Sequence, residues 1–125
     1  MTTKTHGRAI IQSSDDVLVS LKEAMGHVPP HERKQVAAKF QALFEMYKEG
    51  HDWRVPSQFN PEGTLSNGTQ LYALKVKQVR CYGWYDSGDF VISHYIFKKQ
   101  QKLLKADVRR AERNNSLWVT KKEQL

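Results

Sequence analysis

Residues 71–99, LYALKVKQVRCYGWYDSGDFVISHYIFKK, decide the fold. Tyr72, Leu74 and Val76 alternate with Ala73, Lys75 and Lys77, the period of two expected of a strand with one buried and one solvated face. Two runs rich in aromatic and β-branched residues follow, VRCYGWY at 79–85 and FVISHYIF at 90–97. Between them Asp86-Ser87-Gly88-Asp89 is a hairpin signal. Three antiparallel strands are expected.

Upstream the period lengthens. Ser13 and Ser14, then Asp15 and Asp16, supply cap candidates and first-turn acids, and Val17, Leu18, Leu21 and Met25 recur at helical spacing before Gly26. A helix over residues 15–25 follows. After Pro29-Pro30, Val36, Ala37, Phe40, Leu43, Phe44 and Tyr47 trace one face of a longer helix ending near Gly50. Residues 50–69 carry two prolines and three glycines without a period and read as a long loop, anchored by Trp53, Val55, Phe59 and Leu65. Ala9, Ile10 and Ile11 read as a short strand or an anchored loop. Downstream, Leu103, Leu104, Val108 and Ala111 line one side of a helix over residues 103–114, with Lys105, Arg109, Arg110 and Arg113 on the others. Leu117, Trp118 and Val119 form an apolar tail able to dock or to add an outer strand. The expected class is α+β: N-terminal helices on a small twisted antiparallel sheet, with a basic C-terminal helix.

At 125 residues and 39% hydrophobic composition, one domain over residues 1–125 is expected. No apolar run reaches the roughly 18 residues of a membrane span, and the N-terminus lacks a signal-peptide pattern, so a cytoplasmic protein is expected. The single cysteine, Cys81, excludes an internal disulfide and a thiolate metal cluster. Residues 1–62 hold 8 basic and 8 acidic residues, whereas residues 63–125 hold 12 against 5, so the whole net charge of +7 lies in the second half. Such concentration suits a polyanionic partner or, equally, a solvated basic face.

Metal and nucleotide chemistry find no motif here. His27 and His31 straddle Pro29-Pro30 and cannot share a helix turn, and no phosphate-binding glycine loop or nucleophile elbow occurs. No cofactor and no metal are expected. The remaining constellation is cationic: Lys75, Lys77 and Arg80, then Lys98, Lys99 and Lys102, interleaved with Tyr82, Tyr85, His94 and Tyr95. Lysines and stacking aromatics together suit RNA, although aromatics packing a sheet beneath solvating lysines give the same pattern. By period two, His94 falls on the side of Phe90, Ile92 and Ile96, where a buried structural role is as well supported as a chemical one.

Residues 71–114 resemble the core of the RelE/ParE toxin superfamily, nearest its HigB-type and phage-derived relatives. The resemblance rests on the strand LYALKV, the arginine strand RCYGWY, the turn, the strand FVISH, the segment Phe97-Lys98-Lys99 with Lys102, and the basic helix. PPHERKQVAAKFQALFEMYKEG at 29–50 is similar to the family's second helix, while residues 1–28 match poorly. The resemblance implies a toxin of a toxin–antitoxin pair that cuts mRNA on the translating ribosome without a metal and inhibits translation. Its partners would be a helix-turn-helix, HigA-like antitoxin, in a possible heterotetramer, together with ribosome and mRNA, and no membrane. It also implies roles: Lys75 as a strand lysine of the site, Arg80 as the phosphate-stabilising arginine, and Lys98 or Lys99 as the basic residue at the end of the third strand. His94 and Tyr95 would act as acid–base or stacking groups, with Lys77, Tyr82, Tyr85, Lys102, Lys105 and Arg109 contacting RNA. Ala73 stands where RelE has a lysine, which fits the HigB branch and leaves the general base unassigned. Two alternatives stay open: a ParE-like gyrase poison, and a non-catalytic phage or host module binding RNA or protein on the same scaffold.

Overall fold

The DSGD segment closes a two-residue turn between β4 (Val79–Asp86) and β5 (Asp89–Phe97). Ser87 and Gly88 take φ of 54° and 88°, the left-handed pair that such a hairpin turn requires. The computed structural model describes residues 8–54, 57–99 and 103–124. Their order is β1 (Ile10–Gln12), α1 (Asp16–His27), α2 (Pro30–Lys48), β2 (Phe59–Thr64), β3 (Gln70–Val76), β4, β5 and α3 (Lys105–Glu123). The class is α+β.

The strands form one sheet in the order β1-β5-β4-β3-β2. Three pairs are antiparallel, but β1 runs parallel to β5, so the sheet is mixed rather than wholly antiparallel. The expected loop over 50–69 also needs correction, because Phe59–Thr64 pairs with β3 as the outermost strand. Its sequence, FNPEGT, hides this: a proline is tolerated only where its missing N–H faces away from the ladder, and β2 has a single neighbour. The register shifts between Pro61 and Gly63, leaving Glu62 outside the pairing. Trp53, Phe59 and Leu65 are buried as anchors, with Trp53 Nε1 donating to Leu43 O at 2.8 Å. Val55 lies outside the described residues.

Both faces of the sheet are covered. Val17, Ala24, Val36, Phe40 and Leu43 of the first two helices pack on Leu74, Val76, Cys81, Ile92 and Tyr95. The other face, expected to be wet, buries Leu71, Ala73, Tyr82, Trp84 and Val91 against Ala111 of α3, with Leu103 and Trp118 alongside. The last helix is longer than residues 103–114 and takes in Leu117–Val119, so the expected tail is its final turns. Its C-terminal end is tied to the β4–β5 turn: Trp118 Nε1 and Lys122 Nζ both donate to Asp86 Oδ2 at 2.7 Å.

Short β1 covers β5 only at Phe90–Ile92. Beyond it side chains take over, Ser20 Oγ accepting the Tyr95 N–H at 2.9 Å and Asn114 Nδ2 donating to Ser93 O at 2.8 Å. Asp16, at the start of α1, grips α3 at the same border: Arg110 donates to both carboxylate oxygens at 2.7 Å and Asn114 to one at 2.9 Å. The Arg110 hydrogen bond holds the Asp16 carboxyl well below the usual range against the opposing pull of burial. Asp16→Asn should therefore lower the unfolding free energy by about 2 kcal/mol at neutral pH, less than for a fully buried pair because water reaches this cluster. Urea titration of the two proteins checks it; a loss below about 0.5 kcal/mol would mean that the clamp contributes nothing.

Candidate functional site

Cross-strand register sets Lys75 opposite Arg80, and Arg80 opposite Ile96. In the next row Ala73, Tyr82 and His94 stand abreast, with Asn60 on β2 beyond Ala73. Ala73, Tyr82 and Ile96 belong to the layer under α3, so all of these residues share that face. Lys75 and Arg80 are half-buried, at the end of the sheet next to the β3–β4 turn.

Arg80 is held by main chain: its Nη1 donates to Lys77 O at 2.6 Å, across the turn that connects β3 to β4. Burial pushes its pKa down, while Tyr82 and the Glu62 carboxylate oppose that shift. Glu62 also raises the Tyr82 hydroxyl, behind burial and Asp107. A carboxylate thus stands within electrostatic reach of both groups. Sequence reading missed it because residue 62 fell in the supposed loop; nothing in FNPEGT announces a strand.

His94 occupies a different face from the one its period implied. Tyr82 pairs with His94 but Gly83 with Ile92, so Ser93 is an extra, bulged residue that inverts the alternation. Phe90 and Ile92 therefore face α1 and α2, whereas His94 and Ile96 lie under α3. The His94 side chain is fully buried: Ser93 Oγ sits 2.8 Å from Nδ1, and the Tyr82 ring 5.2 Å away. Asp107 Oδ1 is 3.6 Å from Nε2, too far for a hydrogen bond yet near enough to favour the imidazolium. Burial outweighs it and lowers the His94 pKa. Among the described residues His94 Nε2, the Tyr82 hydroxyl and Asn60 Oδ1 have no hydrogen-bond partner. Three such atoms in one row of a sheet are unusual for a core, where buried polar groups are nearly always paired.

The remaining expected site residues separate. Tyr95 lies on the α1–α2 face, its ring edge-on to Phe40 at 5.5 Å, and cannot share a phosphate with Arg80. Tyr85 is on that face too, beside Tyr47 and Phe90. Lys77 leaves the Lys75 face because it sits in the turn with φ 52°; its Nζ donates to Glu32 Oε1 at 2.9 Å and Gln35 Oε1 at 3.1 Å. Lys98 is buried, its N–H donating to Gln78 O at 2.6 Å; Lys99 is exposed. Lys105 and Arg109 are exposed on α3, and Lys102 lies outside the described residues. Among the described residues no group of three histidine, cysteine or acidic side chains could hold a metal ion, and no helix is long and apolar enough to cross a membrane. No family model and no curated protein matches this chain.

Buried His94 has a pH consequence. Its folded pKa lies below the ordinary 6.5, so the unfolded chain binds the proton more tightly. The associated stability is fully present above pH 6.5 and is lost as the pH falls through the folded value. The urea midpoint of the wild type should decline below about pH 6.5, before carboxylates titrate, and His94→Gln should flatten that decline. Parallel curves for the two proteins between pH 7 and pH 5 would reject the assignment.

Proposed function

We propose that this chain is a metal-independent endoribonuclease of the RelE/ParE toxin type, cutting translated mRNA and neutralised by an antitoxin. The observation that supports it is the cross-strand pair Lys75–Arg80, two half-buried cations set side by side next to the β3–β4 turn. Metal-free RNA cleavage needs two cationic contacts on one phosphate and a nearby proton acceptor. In the reaction the 2′-oxygen attacks the adjacent phosphorus and gives up its proton to solvent water. The P–O5′ bond breaks and the Lys75 ammonium protonates the departing 5′-oxygen. The products are a 2′,3′-cyclic phosphate and a 5′-hydroxyl end. Arg80 stabilises the charge that develops on the phosphorane oxygens.

A second reading, a module that binds RNA or protein without catalysis, is favoured by the burial of His94 and Tyr95, which takes both expected acid–base side chains out of reach of a substrate. Inducing the wild type in cells lacking an antitoxin, while following growth and mapping new mRNA 5′ ends, separates these readings. Growth arrest with cuts in translated messages supports the nuclease. Arrest without cuts points to a gyrase poison, and neither effect leaves the binding module.

A further inference from the structure

On the opposite side of the β3–β4 turn from Arg80, a groove of about 340 Å³ opens between α2 and the hairpin. Gln35, Val36 and Lys39 form one wall and Lys75, Val76 and Lys77 the other. Val36 and Val76 are buried, giving an apolar floor, and the rim carries three lysines. The left-handed backbone at Lys77 accompanies a side chain directed to α2, where it meets Glu32 and Gln35. Lys39 follows Gln35 by four residues, about 6 Å along the helix, and is exposed. Lys75 both lines this groove and pairs across the strands with Arg80, so one residue joins the groove to the Arg80 side of the hairpin.

From this continuity we infer that the groove is a second contact for the phosphodiester backbone of single-stranded RNA, carrying the strand past the hairpin from the Arg80 side to Lys39. The inference rests on the RNA reading of the Lys75–Arg80 pair. A compact anion would need only one end of this surface; a row of lysines turning a corner suits a linear polyanion. Glu32, bonded to Lys77, is the carboxylate that such a strand would have to displace or accommodate.

Fluorescence anisotropy with a labelled RNA of about 12 nucleotides, fully 2′-O-methylated to prevent cleavage, tests this on the full chain. Lys39→Glu should weaken binding about tenfold at low salt and reduce the slope of log affinity against log salt by about 0.7. Glu32→Gln should tighten binding about twofold, since it releases Lys77. Lys22→Glu, the same charge change on exposed α1, should stay within about twofold of wild type. Equal losses from Lys39→Glu and Lys22→Glu, or no binding by the wild type, would overturn the groove. So would displacement of the RNA by a polyglutamate peptide at lower concentration than by unlabelled RNA, which would favour an acidic protein partner. RNA binding with these mutational effects but no cuts in cells would retain the groove and remove the nuclease. Cuts in cells with Lys39→Glu binding as wild type would do the reverse.

Discussion

Gly83→Ala should lower the unfolding free energy by about 3 kcal/mol, because the sheet leaves no room for the added methyl group. A Cβ built at Gly83 would stand 2.5 Å from Phe90 Cζ and 2.7 Å from Cε2, and nearer still to the main-chain oxygen of Val91. An aromatic ring can rotate or be shortened, but a carbonyl in the β4–β5 ladder moves only if the strands part. The bulge at Ser93, immediately beyond the Gly83–Ile92 pair, places that carbonyl and ring across the glycine. Phe90→Leu in the Gly83→Ala background should consequently recover little. Urea unfolding followed by tryptophan fluorescence measures both proteins; a Gly83→Ala unfolding free energy within about 1 kcal/mol of wild type would mean that the close approach is relieved at little cost.

On the proposed nuclease reading, Arg80→Ala should lower new 5′ ends after induction about 100-fold, equivalent to about 2.7 kcal/mol of transition-state stabilisation. The guanidinium is already oriented before any substrate arrives, since the Lys77 carbonyl fixes one arm and leaves donors for a phosphate. Loss of that anchor costs about 1 kcal/mol of stability at most, so the variant should remain folded. Arg80→Lys keeps the charge but not the forked donors and should fall between the two. Because the guanidinium is charged throughout the working range, the pH profile of the residual activity should keep its shape. Unchanged cleavage by folded Arg80→Ala would remove this residue from the reaction.

How far the site was readable follows from chain geometry. Lys75 and Arg80 each stand one residue inside the two-residue turn Lys77–Gln78, so once the turn is placed their pairing follows. The turn at 86–89 was equally legible, because Gly and Asp in that setting admit few backbones. His94 was not, since one extra residue at Ser93 inverts every later side chain and leaves no mark on composition. Strand β2 was hidden by its own proline and glycine, and with it Glu62 and Asn60. The roof was missed for another reason: the hydrophobic side of α3 showed that it packs somewhere, and periodicity carries no information about which face of a sheet a helix takes.

The borders of the sheet narrow the ways in which this protein can meet another. On one side Pro61 and the bulge at Glu62 break the row of main-chain donors and acceptors. On the other, β1, Ser20 and Asn114 have used up those of β5 from Phe90 to Tyr95. Among the described residues a partner therefore finds only short, interrupted stretches on which to lay an additional strand, the outer side of three-residue β1 and the ends of β2, a poor template for edge-to-edge stacking of copies. What surface remains for recognition is mostly that of side chains on the helices and at the hairpin tips.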